Sequence, residues 1–214
     1  MLIPFDQLFA RHKIKAKGVL HLGANTGQEA ATYDKLGIKQ VIWFEALPDI
    51  HIQLYNNVAK YPGHLAFQAC LSDRDGEVVV FRRANNESQS SSFLEFGTHL
   101  QEHPGTVFCE EIRMLTSRVD TFLFDRGIEI GGGWFLNVDL QGAELLALRG
   151  MGDWLWLFDY AYVEVNTKEL YKGCPFVRDI DDFLLRFDFL GAETKMTKHG
   201  WGDKLYIRRQ KCPL

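Results

Sequence analysis

Short apolar runs alternate with amphipathic segments along most of the chain, the pattern of an α/β domain whose mostly parallel sheet carries helices on both faces. PFDQLFARHK at 4–13 predicts a short amphipathic helix. GVLHL at 18–22 predicts a strand running at once into GANTG, and 28–36 a helix that Gly37 can end in the left-handed conformation. KQVIWFE at 39–45 is apolar enough to be a strand covered on both faces. Pro48 opens a further helix with Ile50, Ile52, Leu54 and Val58 as its apolar positions.

HLAFQACL at 64–71 predicts a third strand and EVVVFRR at 77–83 a fourth, with the turn SDRDG between them. NNESQSSSFLEFGTHLQEHPG is polar and Ser-rich; its segment 88–103 reads either as a lid over a site or as a solvated loop. VFCEEIRMLTSRV reads as extended, TFLFDRG as a short helix, and the glycines at 131–133 as a turn before the strand WFLNVDL. AELLALRG then predicts a helix, YAYVEV at 160–165 a strand, and VRDIDDFLLRFDFL a helix. GAETKMT and KLYIRR close the chain as two strands of a hairpin whose loop is KHGWGD. The expected plan is a lead-in over residues 1–17 and one Rossmann-like domain over 18–214.

Composition narrows the class without naming a chemistry. The 214 residues are 46% hydrophobic and 24% charged, ordinary globular usage. A net charge of −4 disfavours a domain built to grip nucleic-acid phosphates. Basic RHKIKAK at 11–17 and RRQK at 208–211 read most simply as solvated ends. Cys70, Cys109, Cys174 and Cys212 are scattered, with no spacing that makes a zinc site. No stretch reaches the roughly 20 apolar residues of a membrane helix, and the start lacks the pattern of a signal peptide. The expectation is a cytoplasmic enzyme with reduced thiols.

The candidate chemistry begins at Gly23-Ala24-Asn25-Thr26-Gly27, between a strand and a helix. Such a turn lets a ligand approach the backbone and aims helix N–H groups at it. Glu45 ends the next strand, twenty-two residues after Gly23, where a carboxylate accepts hydrogen bonds from ribose hydroxyls. A pyrophosphate turn needs G-x-G-x-x-G, and Asn25 stands at its second glycine. The turn therefore suits a nucleoside with an amino-acid tail, as in S-adenosylmethionine, better than a dinucleotide.

HLGANTGQE, WFEALP, ACLSDRDGEVVVF and FLNVDLQGAELLALRGM together resemble the FkbM family of S-adenosylmethionine-dependent methyltransferases. The likeness continues through YVEVNTKELYKG to the C-terminal hairpin, covering nearly the whole chain from about residue 18. Asp139-Leu140-Gln141-Gly142-Ala143-Glu144-Leu145 is its most specific piece, and many relatives carry a second acidic residue where this chain has Gln141. The resemblance implies a class I fold, with a seven-stranded sheet whose last strand is antiparallel. It also implies methionine binding at Gly23, Ala24, Asn25 and Gly27, ribose binding at Glu45, and adenine binding near Leu71, Ser72 and Asp73. Ser72-Asp73 equally suits a plain turn before Gly76.

Methyl transfer to a hydroxyl needs positioning and a proton acceptor. Candidates at the carboxyl ends of strands are Asp139 with Gln141, Glu164 with Asn166, and the hairpin loop with His199, Trp201 and Asp203. His199 has the intrinsic pKa of a general base, and Trp201 a flat face of the kind that packs on sugar rings. Asp139, Glu164 and His199 are thus the catalytic candidates, and Gln141, Asn166 and Trp201 the substrate-binding ones. Each has a structural alternative: a helix cap, partners for Lys168 and Lys172, or a glycine hairpin. A divalent ion held by Asp139, Glu164 and Asn166 is a lesser alternative, without a local metal motif. The leading expectation is an O-methyltransferase acting on a hydroxyl of a sugar or glycan intermediate. An NAD-dependent oxidoreductase and a non-catalytic cofactor-binding protein are its rivals.

Overall fold

In the computed structural model, which describes residues 2–211, the chain begins with helix α1 (Phe5–Arg11) and strand β1 (Val19–Leu22). There follow α2 (Ala30–Lys35), β2 (Val41–Glu45), α3 (Pro48–Val58), β3 (His64–Gln68), β4 (Cys70–Leu71), β5 (Val78–Ala84) and α4 (His99–Glu102). Next come β6 (Phe108–Ser117), α5 (Val119–Asp125), β7 (Trp134–Val138), α6 (Glu144–Arg149) and β8 (Phe158–Asn166). Helix α7 (Val177–Leu185), β9 (Phe189–Met196) and β10 (Trp201–Arg208) complete the α-helices and strands, beside short 3₁₀ helices at Gly152–Leu157 and Arg209–Lys211.

Seven strands form one sheet in the order β3-β2-β1-β7-β8-β10-β9, and only β10 runs antiparallel to its neighbours. This is the expected doubly wound plan with its terminal hairpin. Every residue of β1, β2 and β7 is buried, because helices cover both faces. Alternate residues feed two cores. Leu20, Leu22, Ile42 and Phe44 pack with α5, α6 and α7, whereas Val19, Val41, Trp43 and Phe135 pack with α1, α2 and α3. Phe5, Leu8 and Phe9 of α1 belong to that second core.

Three expected boundaries move, and one expected apolar position turns outward. HLAFQACL is two strands: β3 pairs with β2, then the chain breaks at Ala69 and β4 joins a separate sheet, β4-β6-β5. At the edge of the main sheet, with Leu65 half exposed, continued pairing adds little burial. The last helix stops at Leu185, and Asp188 adopts a left-handed φ of 61° before Phe189 enters β9. Ile52 is exposed because Ile50, Leu54 and Val58 already form the stripe that faces the sheet. The hairpin turn is shorter than KHGWGD: Trp201 pairs with Asn166 and Asp203 with Glu164, so both belong to β10.

Candidate active site at the carboxyl ends of the strands

A cavity of about 480 Å³ opens at the carboxyl ends of β1, β2, β7 and β8. Its floor begins with the glycine turn. Gly23 has φ 82°, and a Cβ there would lie 1.8 Å from the Asp139 carbonyl, so the two strand ends meet over a position only glycine can occupy. Gly27 is needed for a different contact, since a Cβ would meet the Leu54 side chain of α3 at 2.8 Å. Gly23, Ala24 and Asn25 line the cavity; Gly27 does not.

The turn departs from expectation in one important way. The Gly23 and Ala24 N–H groups both donate to the Phe44 carbonyl, at 3.0 and 2.8 Å. Those of Asn25, Thr26 and Gly27 donate to Glu45 Oε2, Asn25 Oδ1 and the Ala24 carbonyl. All five are taken, and α2 begins only at Ala30, so the turn does not present the row of free N–H groups that phosphates require.

Glu45 lines the cavity where β2 ends, and its carboxylate is anchored by the N–H groups of Asn25 at 3.0 Å and Leu47 at 2.9 Å. Burial raises its pKa. Beyond it Leu71, Cys70, Phe81 and Phe93 make an apolar recess. Ser72 and Asp73 are outside the lining. The Ser72 backbone donates to the Ser117 carbonyl, while its own carbonyl packs closely on Gly150. Arg118 clamps the Asp73 carbonyl at 3.0 Å and donates its own N–H to Asp75 at 2.7 Å.

At the other end, the turn Asp139–Gly142 wraps around the Glu144 carboxylate, whose Oε1 accepts the N–H groups of Leu140 and Gly142, each at 3.0 Å. Burial pushes the Glu144 carboxyl up to about 7. Gln141, at φ 52°, sends its amide nitrogen to Asp139 Oδ1 at 2.6 Å and Glu164 Oε2 at 2.8 Å. Its amide oxygen accepts the Tyr171 hydroxyl at 2.7 Å. Burial, and next the Asp139 charge, hold the Glu164 carboxyl well above the carboxylate range. Asp203 accepts the Tyr162 hydroxyl at 2.9 Å and is also raised by burial. Among the described residues no cluster of three or more His, Cys, Asp or Glu side chains is arranged to hold a metal, and the Gln141 amide fills the space between two of the three suspected ligands.

Asp139, Gln141, Glu164 and Trp201 therefore share one cavity with Gly23, Ala24, Asn25, Glu45 and Leu71. Asn166 and His199 do not join them. Asn166 is fully buried beside β10, paired with Trp201, with neither amide atom hydrogen-bonded among the described residues. His199 sits at the hairpin tip, its Nδ1 3.1 Å from Glu102 Oε2. The Ser-rich segment is a wall: Ser90, Ser91 and Ser92 are buried, and the Ser91 hydroxyl accepts the Ala84 N–H at 3.0 Å. Sequence reasoning passed over Glu29, a partly exposed lining residue whose pKa is raised by desolvation, and over Tyr171; His99 entered only within the segment 88–103. Only the place of Glu29 directly after the glycine turn was a usable signal.

Five carboxylates line this cavity, those of Glu29, Glu45, Asp139, Glu164 and Asp203, and its described lining contains no lysine or arginine. Among the described residues no helix is long and apolar enough to cross a membrane.

Comparison with known proteins agrees with this fold. Residues 21–190 match the Methyltransferase FkbM domain. The 2-O-methyltransferase NoeI of Sinorhizobium fredii (strain NBRC 101917 / NGR234) is 28% identical over 180 residues, 80% of this chain and 72% of that protein. Magnesium protoporphyrin IX methyltransferase from Synechocystis PCC 6803, solved with bound S-adenosylmethionine, superposes with a TM-score of 0.52 at 12% identity, over 95% of this chain and 75% of its own. The putative methyltransferase yhhF from Escherichia coli gives 0.51 at 15% identity, over 95% and 83%. The chain belongs to the FkbM methyltransferase domain family, and its fold is that of the class I S-adenosylmethionine-dependent methyltransferases.

Proposed function

We propose that the protein methylates a hydroxyl group of a carbohydrate acceptor, using S-adenosylmethionine and releasing S-adenosylhomocysteine. The observation that carries this reading is the makeup of the cavity: five acidic side chains and no lysine or arginine in the described lining. A sulfonium with an amino-acid ammonium group suits such a lining, whereas a pyrophosphate is repelled by it and finds no free N–H row in the turn. The residues present fit the cofactor in three places. Gly23–Asn25 lie open to the amino-acid tail, Glu45 keeps lone pairs for ribose hydroxyls, and the recess of Leu71, Phe81 and Phe93 takes a flat base.

S-adenosylmethionine supplies an activated methyl group, so the protein's part is alignment and removal of one proton. Asp139 is the proton acceptor in this reading. Glu164, whose protonated form is favoured by burial and by the Asp139 charge, shares a hydrogen bond with Asp139 beside the reacting hydroxyl. Gln141, held from behind by Tyr171, fixes both carboxyl groups. His199 stands outside the cavity and takes no part in this step. A carbohydrate acceptor is supported by the flat face of Trp201 beside polar Asn86, Gln89 and Ser90, and by the similarity to NoeI, a 2-O-methyltransferase.

Titration calorimetry with S-adenosylhomocysteine and with NAD tests the cofactor. Saturable binding of the first alone is expected, and binding of NAD alone overturns the reading. Transfer of labelled methyl to a panel of neutral glycosides, nucleotide sugars and RNA then tests the acceptor, with neutral glycosides expected and labelled RNA counting against it.

A further inference from the structure

His99 is a buried, rigid side chain for which the transfer chemistry gives no use. Its ring stacks on Phe96 at 4.3 Å with 8° between planes, and Phe96 stacks on Phe108 at 3.7 Å. Tyr171 and His103 flank it at 5.5 and 5.0 Å. The backbone is equally fixed: the N–H groups of Gly97 and His99 donate to the Leu170 carbonyl, and that of Thr98 to Glu169. A Cβ at Gly97 would lie 2.2 Å from the Glu169 carbonyl, so this close seat for α4 is built into the sequence.

The ring lines the cavity yet is only 5% exposed, and its Nδ1 is buried without a hydrogen-bond partner among the described residues. Buried polar atoms are rarely left unpaired, because their desolvation is then uncompensated. Desolvation by burial, followed by the charge of His103, lowers the His99 pKa to about 4, leaving a neutral imidazole with one donor and one acceptor nitrogen. Its natural complement is a neutral hydroxyl, which also donates and accepts. Tyr171 sets the geometry. Its ring faces His99, and its hydroxyl binds Gln141, which bridges Asp139 and Glu164. The imidazole therefore lies against the Tyr171 ring, and the two carboxyl groups lie past its hydroxyl, across the Gln141 amide.

We propose that His99 is an acceptor-binding residue, whose imidazole hydrogen-bonds one hydroxyl of a polyhydroxylated acceptor while a second hydroxyl of the same molecule lies at Asp139 and Glu164. The inference rests on the cavity being the methyl-transfer site and deepens that reading. A monohydric alcohol reaches only the carboxylates, whereas a polyol satisfies the imidazole as well.

The test follows the imidazole nitrogens of the ¹⁵N-histidine-labelled protein by long-range ¹H–¹⁵N NMR, with S-adenosylhomocysteine bound. The probes are methyl α-D-mannopyranoside, methyl β-D-glucopyranoside, methyl β-D-galactopyranoside, glycerol, inositol and, as the monohydric control, cyclohexanol. His99→Phe, which keeps the aromatic stack, identifies the His99 signals by their loss. At least one polyol is expected to move those signals, and cyclohexanol is not. The variant should raise KM for the polyol that is methylated about tenfold, the weight of one neutral hydrogen bond, with kcat changed less than threefold and S-adenosylhomocysteine affinity retained. His99 signals unmoved by every polyol, or an unchanged KM in the variant, overturn the inference. Methylation of inositol with a His99 shift supports it and refutes the glycoside reading alone. Failure of the wild-type protein to bind S-adenosylhomocysteine refutes the methyl-transfer reading itself.

Discussion

Gln141 shows how much one side chain can organise. Its amide nitrogen has two carboxyl neighbours and its amide oxygen a tyrosine, so an acidic residue there would lose the donor and press a further carboxyl group against Asp139 and Glu164. With the proton acceptor held this way, Asp139→Asn is expected to lower kcat about 100-fold or more while S-adenosylhomocysteine affinity stays within threefold. His199→Ala should lower kcat less than threefold. Steady-state kinetics beside calorimetry checks both, and the reverse ranking would move the base to the hairpin tip. Glu144 gives a pH test. Burial pushes its carboxyl up to about 7 against 4.5 ordinarily, so between these values the unfolded chain has lost a proton that the native state keeps. Stability from this group therefore falls as pH rises from about 5 to 7. Glu144→Gln still accepts the Leu140 and Gly142 N–H groups but cannot ionise, so the wild type's Tm should drop relative to the variant's over that range. Parallel Tm–pH curves would refute the assignment. The glycine turn, Glu45 and Asp139 were legible because strand, turn and carboxylate occur in local order. Tyr171 and His99 were not, since their positions depend on segments about seventy residues apart packing together.

At the scale of elements, legibility followed burial. β1, β2, β7 and β8 are covered on both faces and read as plain apolar runs. HLAFQACL reads as one such run too, but pattern cannot show where an edge strand leaves one sheet for another. The hairpin was legible in kind and misjudged in length, because cross-strand partners set how far β10 extends. That strand is locked at its far end by Arg208, whose guanidinium donates to the carbonyls of Phe158 at 2.8 Å, Leu155 at 2.6 Å and Phe187 at 2.5 Å. Arg208→Met leaves these carbonyls unpaired in a buried setting, and a loss of about 2–4 kcal/mol is expected in urea unfolding. A loss under about 0.5 kcal/mol would mean that water replaces the guanidinium there.

At the scale of the whole molecule, the lead-in is part of the core. Phe5 stacks with Tyr33 at 5.4 Å and meets Phe135 and Tyr162 edge-on, while the Leu2 N–H donates to Asp203 at 2.5 Å. We expect Phe5→Ala to cost about 3–5 kcal/mol by chemical denaturation, as for any large ring removed from a packed core. Asp203 lines the cavity, so the same variant should also weaken S-adenosylhomocysteine binding. Unchanged binding would show that the lead-in serves stability alone.

The carboxylate lining has a consequence for the company this protein keeps. Adenine is the commonest recognition handle in a cell, and most molecules that carry it also carry phosphates. Hydrophobic complementarity cannot tell those crowding nucleotides from the intended ligand, since the base and ribose are shared. The sign of the electrostatic potential can. A cleft with five acidic side chains and no lysine or arginine in its described lining offers a phosphate group no partner, and millimolar ATP or NAD should leave binding of the cationic ligand untouched.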